Sequence, residues 1–200
     1  MRPITDMTEL ETLYDAAVPA SLTKVRTRLS PLYRQWIEAA RFCVLSTVGP
    51  EGTDASPRGD DGPVVRIVDD ATLWLPDWRG NNRIDSLRNI VRDNRVSLMF
   101  MVPGCQNVVR VNGTAFLTPD AQARASFERK GRQPATVIVI QVGEMYFQCA
   151  KALMRSGLWT RGDESGLVPT AGQFLREQDD GFAAEDYDAG YAEYAKSRMW

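Results

Sequence analysis

The sequence predicts a mainly β domain of the α+β class, an antiparallel barrel with flanking helices. About seven short apolar segments with the two-residue period of strands lie between residues 42 and 142. Clusters of Gly, Pro and Asp end most of these segments, which is typical of tight turns between antiparallel neighbours. The regular alternation of strands and helices that a parallel sheet requires is absent from the pattern.

Helical patterns come before the first predicted strand. Residues 7–28 are polar and charged, with a helical pattern that Pro19 interrupts. Ser30 directly ahead of Pro31 predicts the start of a further helix, because serine caps free N–H groups and proline is tolerated in the first turn. We therefore predict an N-terminal helical extension over residues 1–40.

The strands are predicted from alternation and from the turns between them. They cover residues 42–48, 53–59, 64–68, 71–75, 96–102, 107–117 and 135–142. Pro57 favours an edge or a bulge for the second strand, and a helix is predicted over residues 119–130. Residues 41–160 would form the barrel. The acidic, aromatic-rich tail, residues 161–200, is expected to dock on the body or on a partner subunit.

Composition excludes several classes of function. Lys and Arg number 24 against 26 Asp and Glu, so the net charge of −2 argues against a general nucleic-acid binder. No apolar run reaches the length of a membrane span, and the first residues lack the apolar core of a signal peptide. The three cysteines are widely spaced and form no CxxC motif, so we expect a cytoplasmic protein with free thiols.

The sequence contains no histidine. This excludes Ser-His-Asp and Cys-His nucleophile systems. It also removes the commonest nitrogen ligand of zinc and the common axial ligand of haem, so no metal site is predicted. Any chemistry is therefore expected to come from a bound cofactor, or from carboxylates and arginines.

One short segment between a strand and a helix concentrates hydrogen-bond donors. Residues 79–83 read Arg-Gly-Asn-Asn-Arg and lead into an amphipathic helix. Gly80 is expected to turn the backbone with a positive φ, and the arginines and free helix N–H groups suit phosphate oxygens. Two interpretations remain open at this point: an anion cradle, or a polar turn in which Asp85 or Ser86 caps the helix.

Arg66 is unusual because its predicted strand is otherwise apolar. Its neighbours Val65 and Ile67 belong in a core, and a buried arginine without a partner is costly. We therefore expect Arg66 to meet either a phosphate group or a carboxylate such as that of Asp60.

The order of these motifs resembles a known family. Six motifs follow one another along the chain: a Leu-Ser-Thr strand, a Gly-Pro-Glu-Gly turn, Ala-Ser-Pro-Arg-Gly-Asp, Val-x-Arg-Ile, Pro-Asp-x-Arg-Gly-Asn-Asn-Arg and Arg-Val-Asn-Gly-x-Ala. This series resembles the pyridoxamine 5′-phosphate oxidase-like flavoproteins, which have an FMN-binding split β-barrel. The similarity covers residues 30–160 and is greatest to a branch with the Arg-Gly-Asn-Asn-Arg signature. It implies a homodimer with FMN at the subunit interface.

The resemblance also implies site residues. A strand like Val65, Arg66 and Ile67 lies along the flavin in such proteins, and its arginine reaches toward the phosphate. Further contacts to the phosphate and the ribityl chain fall on Arg79, Asn81, Asn82, Arg83 and Ser86. Contacts from the opposite side of the cofactor fall on Arg110 and Asn112. A second anion position falls on Lys151 and Arg155, and a contact to the flavin ring falls on Trp159. Judged without the family, the last five residues belong to types that more often have solvated, turn or packing roles.

The sequence departs from the family at its end. True pyridoxamine-phosphate oxidases end in a basic segment of the Arg-Leu-His-Asp-Arg type that grips the substrate, and this chain has none. The resemblance therefore implies an FMN-dependent oxidoreductase that carries hydride at flavin N5 and acts on a different small molecule. The alternatives are a non-catalytic FMN-binding protein for storage or sensing, and a deazaflavin-dependent reductase. No catalytic residue is assigned.

Overall fold

The computed structural model describes residues 1–199, and its centre is one seven-stranded sheet in which every neighbouring pair is antiparallel. The strands are β1 (Phe42–Gly49), β2 (Gly52–Gly59), β3 (Arg66–Ile67), β4 (Thr72–Asp77), β5 (Arg95–Met101), β6 (Val108–Thr118) and β7 (Thr136–Gln148). Their order across the sheet is β2-β1-β5-β6-β7-β4-β3. The predicted mainly β, α+β class is confirmed, and Pro57 lies on an edge strand as predicted.

The sheet curls without closing. Strands β2 and β4 occupy the first and the sixth positions of the sheet, yet Arg58 of β2 and Asp77 of β4 form an ion pair at 2.7 Å. The two ends of the sheet therefore approach each other across a seam that side chains bridge. This geometry is that of a split barrel.

Helices flank the sheet. They are α1 (Met7–Glu11), α2 (Pro19–Thr23), α3 (Pro31–Ala39), α4 (Asp85–Arg92), α5 (Ala121–Ala125), α6 (Lys151–Ser156), α7 (Ala171–Gln178) and α8 (Ala184–Arg198). The Ser30 hydroxyl accepts a hydrogen bond from the N–H of Tyr33, so the predicted start of α3 is confirmed. Within residues 1–199, no helix is both long and apolar enough to cross a membrane.

The core lies inside the curled sheet. Strands β1 and β5 bury alternate residues, as the two-residue period predicts. Leu45, Leu98 and Ile140 are fully buried there, and Ile37 of α3 covers the same core. A bulge at Asn112/Gly113 bends the long β6–β7 hairpin.

Two predicted elements are shorter than expected. The third strand is limited to Arg66–Ile67, because the N–H of Val64 bonds the carbonyl of Ala40 instead of a sheet neighbour. The helix predicted over residues 119–130 ends at Ala125, and the chain later turns through Lys130 at φ 49°. Hydrophobic patterning indicated both segments but not where they end. The predicted division into extension, barrel and tail stays a prediction.

Candidate functional site

The turn that leads from β4 into the start of α4, residues 79–86, has an unexpected backbone. The Asn81 side chain accepts a hydrogen bond from the N–H of Arg83 at 3.0 Å. Asn82 and Ile84 adopt positive φ values of 60° and 53°. The prediction that Gly80 supplies the positive φ is wrong, because the asparagine-based turn places the left-handed residues two and four positions later.

Helix α4 starts without a side-chain cap. Ile84 occupies the N-cap position, and no side chain accepts from the first-turn N–H groups there. The prediction that Asp85 or Ser86 caps this helix is wrong: Asp85 bonds Arg83, and the buried Ser86 donates to the Asp54 carboxylate. The backbone donors at the start of α4 are thus not used by a cap.

This turn lines a cleft of about 370 Å³, here called the smaller cleft. Its charged residues are Arg58, Arg79, Arg83, Asp54, Asp77 and Asp85. The hydrogen bond that Arg83 donates to the Asp85 carboxylate raises the pKa of Arg83, so that arginine stays charged. Within residues 1–199, Arg79 is the arginine of this cleft that forms no ion pair. The opposing charges leave the smaller cleft close to neutral overall.

Two residues of the smaller cleft carry buried polar atoms that no side chain or backbone group within residues 1–199 satisfies. They are Nε of Arg58 and Oγ1 of Thr136. Nη1 of the same guanidinium lies 2.7 Å from Oδ1 of Asp77. The side chains of Arg58 and Asp77 are 19% and 14% exposed. Unsatisfied buried polar atoms are costly in a folded protein and are frequent at ligand sites.

Arg66 differs from its prediction. The residue is exposed rather than buried, so the expectation of a buried arginine in an apolar strand is wrong. Its guanidinium donates to the Ser126 carbonyl and lies 4.5 Å from the centre of the Phe127 ring. The expected partner Asp60 instead pairs with Arg129 at 3.3 Å. Two-residue β3 lies at the sheet edge, where an arginine reaches solvent.

The remaining predicted residues do not line the smaller cleft. Val65 is buried in the core and Ile67 packs against it. Arg110 lies 5.5 Å from the Tyr146 ring centre. Asn112 joins Ser97 and Glu144 by hydrogen bonds of 2.7 and 2.8 Å, which fixes the strands beside the bulge.

The segment after β7 lies apart from the turn as well. Lys151 and Arg155 are exposed on α6, and Trp159 donates to the Cys105 carbonyl at 2.8 Å. The chain therefore brings Arg79, Asn81, Asn82, Arg83 and Ser86 to one cleft and leaves the other predicted residues elsewhere. Their predicted roles stay predictions.

The sequence reasoning missed several residues of the cleft. Asp54, Ser56 and Arg58 alternate along β2 and all line it. Three polar residues at a period of two on an edge strand indicate one shared face. That signal was available in the sequence, whereas nothing local placed Thr136 there.

The fold and the site define a protein of the split-barrel class. The sequence pattern of the family described as pyridoxamine 5′-phosphate oxidase matches residues 29–149. The match covers more than half of the chain, so this protein belongs to that family. No curated protein matches the chain.

One solved structure supports the same fold, and two further structures are similar to part of this chain. A variant of HupZ from Group A Streptococcus is 17% identical with a TM-score of 0.50, over 60% of this chain and 98% of that chain. General stress protein 26 from Bacillus anthracis is 19% identical with a TM-score of 0.44, over 57% and 88%. An FMN-binding protein from Syntrophomonas wolfei is 12% identical with a TM-score of 0.43, over 58% and 88%. At 17% identity the likeness to the HupZ variant shows the fold alone.

Proposed function

We propose that this protein binds FMN and is an oxidoreductase that acts on a small molecule. The observation that carries the proposal is the donor set of the turn after β4. There an arginine without an ion-pair partner, Arg79, two asparagine amides and an uncapped helix start meet at one cleft. This combination of fixed and charged donors suits a phosphate group.

The residues present fit the phosphate end of FMN, with one condition. Arg83 has to exchange Asp85 for the phosphate, because the two are paired in this structure. An exposed ion pair of this kind contributes little, so the exchange costs little. The unsatisfied Nε of Arg58 and Oγ1 of Thr136 supply further hydrogen-bonding capacity in the same cleft.

A homodimer is part of the proposal. Arg66, Arg110, Lys151, Arg155 and Trp159 would contact FMN only if a second copy of the chain brings them to the turn. Large apolar side chains are exposed on three strands, with Phe42 at 37%, Phe116 at 54% and Phe147 at 47%, and a second copy of the chain would remove such surface from water.

When bound, FMN supplies hydride transfer at its N5 atom. The chain anchors the phosphate with Arg79 and Arg83 and orients the cofactor through the amides of Asn81 and Asn82. The carboxylates of the smaller cleft are engaged, with Asp54 bonded to Ser86 and Asp77 to Arg58.

That engagement of the acids favours a second candidate function, a non-catalytic FMN-binding protein for storage or sensing. None of the described carboxylates of the smaller cleft is free of a partner to serve as a proton donor. The two candidates differ in turnover: the oxidoreductase is reduced by a nicotinamide donor and passes electrons to an acceptor, whereas the binding protein does neither.

The test is an absorbance spectrum of the freshly purified protein before and after anaerobic addition of NADPH. Flavin bands that bleach support the oxidoreductase, and bands that persist support the binding role. Identification of the released cofactor by mass spectrometry separates FMN from a deazaflavin. A colourless protein that takes up no added FMN refutes the proposal.

Variants locate the phosphate. Arg83→Gln, alone or with Arg66→Gln, is expected to lower FMN affinity. The matched control is Arg88→Gln, which removes another exposed arginine, one on α4 that does not line the cleft. Equal FMN content in Arg83→Gln, the double variant and the control contradicts the assignment of the phosphate.

A further inference from the structure

Residues 1–23, here called the N-terminal arm, precede the part of the chain that matches the family. Helices α1 and α2 of the arm have five residues each, and neither contains a buried residue. Helices of this length are not stable in water unless tertiary contacts support them. The chain joins the barrel directly after the arm, where the Lys24 carbonyl accepts a hydrogen bond from the Tyr33 hydroxyl and Arg26 forms a bridge with Met145 of β7.

The arm exposes apolar side chains along its whole length. Val18 and Leu22 are 68% and 63% exposed, and a spacing of four residues places them on one helical face. The other exposed large apolar residues of the arm are Met1, Ile4, Met7, Leu10, Leu13 and Tyr14. A surface that covered these side chains would remove them from water and would support the two short helices.

The arm is acidic, whereas the barrel that follows it is basic. Residues 1–23 hold one arginine against four Asp and Glu, but residues 24–160 hold 19 Lys and Arg against 13 Asp and Glu. The tail, residues 161–200, is acidic like the arm, with nine Asp and Glu against four Lys and Arg. Since opposite charges attract and like charges repel, the arm is complementary to the barrel and not to the tail.

A part of the barrel that fits the arm lies where the arm ends. Lys24 Nζ lies 4.8 Å from the centre of the Phe147 ring and 5.6 Å from that of the Tyr146 ring. Lys24, Tyr146 and Phe147 are here called the aromatic-basic patch. Within residues 1–199, Lys24 and its neighbour Arg26 form no ion pair. An acidic segment with apolar side chains could pack on these rings and place its carboxylates beside the two cations.

We propose that the N-terminal arm of one copy of the chain docks on the aromatic-basic patch of a second copy, and that the exchange is mutual. The arm and Phe147 both stay exposed in the single chain, although they are complementary in charge and in apolar character. The patch adjoins the residue at which the arm leaves the barrel, so a two-fold axis beside that residue would bring each arm to the patch of the other copy. The inference rests on the homodimer of the proposed function and adds the segment that joins the copies.

The test is cross-linking of the full-length protein with a water-soluble carbodiimide, which joins carboxylates to lysine amines, followed by trypsin digestion and mass spectrometry. Residues 1–26 stay in one peptide when Lys24 is cross-linked, because proline follows Arg2 and trypsin does not cut at a modified lysine. An arm that reaches Lys24 of its own chain therefore gives a looped form of this one peptide. An arm that reaches Lys24 of a second copy gives two arm peptides joined to each other, which is the expected result. Looped peptides alone, or no cross-link between the arm and Lys24, overturn the proposal.

Two matched pairs of variants locate the docking. Leu13→Ser in the arm is expected to lower the yield of joined peptides about fivefold, whereas Leu32→Ser, at an exposed position of α3, leaves the yield unchanged. Phe147→Ala in the patch is expected to lower the yield about fivefold, whereas Phe116→Ala, at an exposed position of β6, leaves it unchanged. Unchanged melting temperatures show that the variants fold. Equal yields in a variant and its control overturn the proposal.

The FMN content separates this inference from the proposed function. Looped cross-links alone in a protein that is dimeric and saturated with FMN would overturn the exchange of arms and leave the flavin function standing. Joined peptides whose yield falls in the arm and patch variants, obtained from a protein that takes up no FMN, would support the exchange of arms and refute the flavin function.

Discussion

Replacement of Arg58 by methionine tests the seam of the barrel. The Arg58 guanidinium lies 2.7 Å from Asp77, and the two side chains are only 19% and 14% exposed. Arg58→Met keeps much of the apolar stem but leaves the Asp77 carboxylate largely buried without a cation. A buried charge that loses its partner destabilises the folded state more than the pair had stabilised it.

The magnitude follows from burial and distance. Two unit charges about 4 Å apart attract by about 4 kcal/mol at an effective dielectric constant of about 20. Desolvation of both groups offsets part of this attraction, and residual exposure lets water solvate the remaining carboxylate. We therefore expect Arg58→Met to lower the free energy of unfolding by about 2 kcal/mol. For a chain of this size that loss corresponds to a fall in Tm of about 4 to 8 °C.

The assay is urea unfolding followed by circular dichroism, with Arg28→Met as the matched control. Arg28 also lies 2.7 Å from a carboxylate, that of Asp70, but the side chains are 68% and 49% exposed. The control is expected to change stability by less than about 0.5 kcal/mol. In Arg58→Met/Asp77→Leu, much of the lost stability should return, because no buried charge remains. Equal losses in Arg58→Met and Arg28→Met would refute the reasoning from burial.

Three further predictions concern thiol reactivity, backbone packing and pH. Burial raises the pKa of the Cys43 thiol to about 12, so at pH 8 a thiol reagent should modify exposed Cys149 and reach Cys43 only after denaturation. Gly113→Ala should lower the free energy of unfolding by about 2 to 4 kcal/mol, because the new Cβ would lie 2.0 Å from a facing backbone oxygen. Gly80→Ala is the control: its Cβ would have no atom within 4 Å, so urea unfolding should give an unchanged free energy of unfolding. A side-chain hydrogen bond from an arginine lowers the pKa of Asp93 to about 2. The stabilisation that this hydrogen bond gives is present above pH 3.9, about the pKa of the Asp93 carboxyl in the unfolded chain. It is lost as the pH falls through about 2, the pKa of that carboxyl in the folded protein. Thermal melts of wild type and Asp93→Asn should therefore converge as the pH falls through this range.

Local patterns predicted the framework because strands and caps are local. Alternation along β1 and β5 requires only that one face meets a core. Ser30 next to Pro31 predicts a helix start because the cap involves only neighbouring residues, from Ser30 to Tyr33. The same patterns failed at Gly80 and at the α4 cap, because an asparagine side chain competed successfully for the turn.

The candidate site was predicted only in its contiguous part. Residues 79–86 come together because they are adjacent in sequence. The expectation for Arg66 failed because a strand pattern does not distinguish an edge from the centre of a sheet. The alternating face of β2 could be found from the sequence, but its approach to β4 could not.

The sequence by itself determined the β framework, the absence of histidine chemistry and the concentration of donors after β4. The tertiary structure decided which of those donors are free to bind a ligand. Arg58 meets Asp77 across the seam and loses its availability as an ion-pair donor, whereas Arg79 has no ion-pair partner within residues 1–199. Charge pairing depends on distances of a few ångströms between segments far apart in sequence, and only the curl of the sheet and the docking of the last helix set those distances.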